Sequence, residues 1–267
     1  MRLSQLLLNP NKAERHPAEM ILVGFFYASL SLVCSNWLFP EYSSITAVFL
    51  TTISCLYIIQ GAILIEEERE GKFESEKSLL KHHSGVIALI FYLFVGFFLA
   101  FLFWNIILPE SLSTNLFEAQ KNEVENIQRI TGRSVAFGDF ATIFINNLKV
   151  MGISVLFAVF YGSGAVFILA WNASVIGFVI GEIIKNTTGI SALPILLFKY
   201  AIHGIPEMVA YFVAALAGGI LFVTIIRGDY SKDRIIRTCI DFSVLIFISI
   251  VLLGIAGIVE SYFSSAI

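Results

Sequence analysis

Charged residues are scarce in this chain of 267 residues: Asp, Glu, Lys and Arg together make up 14%, where soluble domains carry about 25%. That shortage excludes a large water-facing surface. Cysteine is nearly absent as well. Cys34, Cys55 and Cys239 are the only three and all fall inside apolar runs, and an odd, buried set argues against a disulfide framework. The net charge of −3 offers no basic face to nucleic acid, so no nucleic-acid partner is expected. The sequence also lacks a Gly-x-Ser-x-Gly elbow and a His-Glu-x-x-His motif, which speaks against a serine hydrolase or a zinc protease. No catalytic residue, metal ligand set or cofactor is expected, and the chain does not read as an enzyme.

What the chain has instead is apolar length. Hydrophobic residues make up 57% and Phe alone numbers 25. Several runs reach the ~20 residues that cross a bilayer as a helix. Seven spans fit best, at 20–39, 44–65, 85–108, 140–161, 165–184, 206–226 and 238–262. The expected fold class is all-α: one polytopic membrane domain over 1–267, with the lipid bilayer as its first partner. The run starting near Met20 is too long for a signal-peptide core and should remain as the first span. The fourth and fifth spans are divided only by Gly162-Ser163-Gly164, small residues that permit a tight turn.

Basic residues orient the spans. With the N-terminus inside, the cytoplasmic segments hold Arg2, Lys12, Arg15, Arg69, Lys72, Lys77, Lys81, Arg227, Lys232, Arg234 and Arg237, and the outer segments hold Lys121, Arg129, Arg133 and Lys185. That bias follows the positive-inside rule and predicts a multi-pass cell-membrane protein with a cytoplasmic N-terminus and an outer C-terminus. Residues 66–83 read as a charged cytoplasmic helical extension of the second span, with Glu68 and Lys72 at i,i+4. The outer loop 109–139 holds an amphipathic helix over 116–131: Asn115 and Glu118 suit its start, and Phe117, Val124, Ile127 and Ile130 form its stripe. That helix either lies on the membrane surface, covers the bundle mouth or packs on the spans. The Leu-rich residues 1–8 suit the inner interface.

The most informative stretch is His203-Gly204-Ile205-Pro206-Glu207, two ionisable side chains in a long apolar run. Ionisable groups inside a membrane are functional-site candidates. Pro194 and Pro206 suit helix first turns and Gly204 a helix end, so a broken or re-entrant helix is expected before the sixth span, hinged at Gly204 and Pro206. The helix dipoles would then favour a charged His203 and Glu207; a mere proline kink would still leave the two at i,i+4. A purely structural His–Glu pair is the competing account. Asn146, Asn147, Lys149, Asn172 and Lys199 are further polar residues at depth, and Asn146, Asn172, Lys199 and Lys149 join His203 and Glu207 as ligand- or ion-binding candidates. Lys149 has the alternative of snorkelling, and an Asn that of inter-helix hydrogen bonding. Small residues paired at Ala214/Gly218, Ala215/Gly219, Gly177/Gly181 and Gly254/Gly257 suit close helix packing, within one chain or between two copies.

Phe144-Ile145-Asn146-Asn147-Leu148-Lys149, Asn172 with Gly177, the HGIPE stretch and Ala214-Ala215-Leu216-Ala217-Gly218 together resemble the stage II sporulation protein M family of integral membrane proteins. The resemblance covers roughly residues 140–226. Where the family often has Asn-Gly, this chain has Asn172-Ala173. The resemblance implies a membrane scaffold that recruits partner proteins, as the named sporulation member does with a peptidoglycan-degrading complex during engulfment. The polar residues themselves point to a transporter or channel-like protein. An intramembrane enzyme ranks third, because the acidic run at 66–70 sits in a charged juxtamembrane segment.

Overall fold

A computed structural model describes residues 17–70, 84–131, 137–161, 166–188, 193–228 and 231–264. Among them are nine α-helices and no strand. The long ones are α1 (Met20–Leu38), α2 (Ser43–Glu70), α3 (Ser84–Ile107), α6 (Phe137–Tyr161), α7 (Val166–Ile183), α8 (Leu193–Arg227) and α9 (Lys232–Ser264). Two short helices, α4 (Glu110–Leu116) and α5 (Glu118–Thr131), follow α3. Each long helix contains an apolar segment long enough to cross a membrane, seven in all. Helices prevail because lipid offers backbone N–H and C=O groups no partners, so each span must satisfy its own. The structure is therefore a seven-span helical membrane protein. Separate helices α6 and α7 account for the long apolar run that Gly162-Ser163-Gly164 was expected to divide; those three residues lie outside the described ones. The first eight residues and positions 71–83 also lie outside them, and of the charged extension the structure shows α2 continuing to Glu70.

Lipid-facing stripes are evident at helical spacing. Leu22, Phe26, Leu30, Val33 and Trp37 are exposed along α1, and Ile45, Phe49, Ile53 and Tyr57 along α2. The opposite faces pack through glycine. A Cβ on Gly96 of α3 would stand 2.9 Å from the Phe25 nitrogen of α1 and 3.0 Å from the Gly24 Cα. Gly177 of α7 lies against Phe98, Phe101 and Leu102 of α3, and Gly218 of α8 against Val155 and Ala158 of α6. Lipid tails are as apolar as Leu, so close backbone approach holds such helices together. The pairs Gly177/Gly181 and Ala214/Gly218 are thus engaged inside one chain, whereas Gly254 faces open space.

Two expectations need correction. The helix α8 runs unbroken through Gly204 and Pro206, so there is no re-entrant half-helix. Pro206 forfeits one intrahelical hydrogen bond, a loss membrane helices absorb by local adjustment. Nothing lies within 4 Å of a Cβ built on Gly204, and no neighbour forces a break there. In the outer loop, helix starts at Glu110 rather than Asn115, and Phe117 separates α4 from α5. Phe117 is fully buried, stacked on Phe178 of α7 at 5.9 Å and edge-on to Phe101 of α3 at 6.4 Å. The pair α4–α5 is consequently a cap packed onto one end of the bundle, called the cap end below.

Replacing Gly96 by Ala should overpack α1 against α3 and destabilise the protein by about 1–3 kcal/mol. Gly152→Ala, in open space, should be neutral or stabilising by up to about 1 kcal/mol. Thermal unfolding in detergent reads both. Equal midpoints for the two variants would mean the Gly24–Gly96 approach does not hold α1 in place.

Candidate functional site

Helix α8 is the most interior span. Its run from Ala210 to Ile220 is buried throughout, because Ala and Gly at 210, 214, 215, 217, 218 and 219 let neighbours approach from several sides. Glu207 lies one turn nearer the cap end. Its carboxylate accepts a 2.8 Å hydrogen bond from the Tyr211 hydroxyl one turn on, and Tyr211 is itself 1% exposed. From α9, Glu260 is within electrostatic range of both.

The facing residue on α6 follows from register. Helices α6 and α8 run in the same direction, separated by the single return helix α7, and Gly218 meets Ala158. Eleven residues are close to three whole turns. Counting back eleven from each brings Glu207 and Asn147 level by register. Asn147 is buried at 8% exposure, and Met151, one turn further along α6, at 5%. A carboxylate held by a phenol, with an amide level with it and a second carboxylate nearby, suits a small cation and repels anions.

Other candidates scatter. Asn146 and Lys149 are exposed on the outward side of α6, the side that carries the lipid-facing Ile145 and Ile153. An exposed Lys149 on that side has the geometry for snorkelling rather than for lining an interior site. Asn172 donates to the Ile168 carbonyl of its own helix at 2.8 Å. The side chains of His203 and Lys199 lie outside the described ones, although both residues are within α8. Continuity of α8 also removes the helix-end dipoles that were expected to charge His203 and Glu207. Among the described residues, no group of three or more His, Cys, Asp or Glu could hold a metal ion.

A second polar group lies at the cap end and escaped sequence reasoning. Asn105, fully buried on α3, donates to Ser113 of α4 at 3.2 Å and to Glu182 of α7 at 3.3 Å. Lys185, in a π-helical turn at Ile184–Thr188, reaches both Ser113 and Glu182 at 3.3 Å, and Asn186 reaches Glu182 at 3.1 Å. Asn105 fills the place where a side chain on Gly181 would stand. Below, Gln120 of α5 donates to Ser174 of α7 at 3.0 Å. A lone amide in an otherwise apolar third span was the available signal. This network ties α3, the cap and α7 together. An open apolar cleft of about 510 Å³ is different in kind: Ile87, Phe91, Val209, Phe212, Ile248 and Leu252 are among its lining residues.

Seven spans around a carboxylate-bearing central helix define a polytopic helical membrane protein. The sequence model of the stage II sporulation protein M family matches residues 87–265, most of the chain, and the chain belongs to that family. No curated protein and no solved structure matches it.

Tyr211→Phe removes one hydroxyl and leaves Glu207 without its donor, which should destabilise the protein by about 1–3 kcal/mol. Phe117→Ala should cost about 3–5 kcal/mol and free the cap. Limited proteolysis would then cut at α4–α5 in Phe117→Ala and spare Tyr211→Phe. Equal protection of the two variants would show that Phe117 does not anchor the cap.

Proposed function

We propose that this protein is a transporter or channel-like protein whose substrate is a small cation bound at Glu207. The observation that carries this reading is a carboxylate within the most buried span, held by Tyr211, and helix register brings Asn147 level with it. Such a group is expensive at that depth, and a site that binds cations is the usual reason to keep one. Positive-inside bias supports an N-terminus in the cytoplasm, which sets the cap, the Glu207 end of α8 and the C-terminus outside. His203 precedes Glu207 by four residues on α8 and enters the proposal by that spacing alone.

A second reading, a non-catalytic scaffold that recruits other membrane proteins, draws on the family and on the cap. Helix α5 turns Glu118, Lys121 and Asn122 outward while Phe117 anchors it, a charged face suited to a protein partner.

Proteoliposomes loaded with dyes for protons, Na⁺ or K⁺ test the first reading. Glu207→Gln, checked for folding, should lower flux of the transported cation at least tenfold. Flux that is absent for all three, or unaltered by Glu207→Gln, would overturn cation transport and leave the scaffold reading.

A further inference from the structure

Ser154 of α6 is 1% exposed, and among the described residues its hydroxyl has no hydrogen-bond partner. Elsewhere in these spans hydroxyls are satisfied locally: Ser31, Thr51, Thr52, Ser54, Ser243 and Ser249 each donate to the carbonyl one turn back. Ser154 does not, and the side chains across the seam explain why it finds nothing there. It precedes Ala158 by four residues, so by the register that pairs Asn147 with Glu207 it stands level with Ala214 of α8. Ala214 and its neighbour Ala215 carry no acceptor. A polar side chain left unpaired among packed helices is the position a bound water or ion would satisfy.

Its place along the seam is equally specific. Asn147 and Ser154 are seven residues apart on one face of α6, about 10 Å along the axis. Beyond Ser154 comes the tightest contact of the two helices, Gly218 against Ala158 and Val155. Past that contact, Thr224 of α8 and Thr238 of α9 share a buried hydrogen bond of 3.1 Å. That pair faces α9 and is satisfied, so by register the polar groups of the α6–α8 seam are Glu207, Asn147 and Ser154, followed by the small residues Gly218 and Ala158.

We infer that the α6–α8 seam is the path of a small monovalent cation from Glu207 toward the opposite end of the bundle. Ser154 is an intermediate ligand on it, and the Gly218–Ala158 contact is its gate. This rests on the reading of Glu207 as a cation site. When the seam parts, water enters and the Ser154 hydroxyl gains its partner. When it closes, the glycine contact seals it.

Thiol labelling in membranes tests this without knowledge of the cation. In a chain with Cys34, Cys55 and Cys239 replaced by alanine, Ser154→Cys should react with a charged, membrane-impermeant thiol reagent. Its rate should be at least tenfold that of Ile153→Cys, whose side chain faces lipid. Equal rates, or an unreactive Ser154→Cys, would overturn the path even where Glu207-dependent flux persists. Absence of any Glu207-dependent flux in the chain that keeps Ser154, with Ser154→Cys still labelled, would instead strike the cation reading and leave a hydrated seam. If Ser154→Cys does not fold, Met151→Cys, one turn nearer Asn147 on the same face, carries the same two outcomes.

Discussion

The approach of Gly218 to Ala158 and Val155 is the contact on which the candidate site depends. A side chain at Gly218 would collide with the α6 backbone, so its absence lets two helices run side by side over three turns. Rigid helices of equal rise keep whatever register one contact imposes. That register brings Asn147 level with Glu207 and aligns Ser154 with an alanine. Gly24 with Gly96, and Gly177 with the Phe98–Leu102 segment, do the same for the other half of the bundle. In lipid, where burying another Leu gains little, such close approaches decide which helices are neighbours.

Polar groups follow a different logic. Each buried donor or acceptor in a span must find a partner or carry a penalty. At the cap end, hydrogen bonds among Asn105, Ser113, Glu182, Lys185 and Asn186 tie three helices and a π-helical turn together, although the Asn105 carbonyl oxygen has no partner among the described residues. Along the α6–α8 seam, Glu207 accepts a hydrogen bond from Tyr211 of its own helix, and Ser154 has no partner among the described residues. The first group bridges several helices by hydrogen bonds and is structural. The second holds a carboxylate deep in the most buried span, which is why function is sought there.

The family match begins in α3 and runs through α9. Helices α1 and α2 precede it, yet they are part of one hydrophobic core with it: Leu32, Val48 and Ile58 share that core with Leu93 and Tyr211. Helix α2 also meets the cap, where Ser43 donates to the Asn115 carbonyl at 3.2 Å. The N-terminal hairpin therefore completes the fold that the family region begins.

Hydropathy alone determined the seven spans, since ~20 apolar residues and a bilayer leave little choice. The sequence also located Glu207, because a charge in an apolar run is conspicuous wherever it points. It misjudged Pro206, whose neighbours read equally well as a helix end or as a helix that tolerates proline. It preferred Asn146 to Asn147, adjacent residues about 100° apart on the helix, and passed over Asn105, Gln120 and Ser154. Which of two adjacent side chains faces inward depends on the helix that packs against them, and glycine contacts chosen across the bundle are not written in local periodicity. Composition made this a membrane protein; only tertiary packing decided which polar groups it keeps inside.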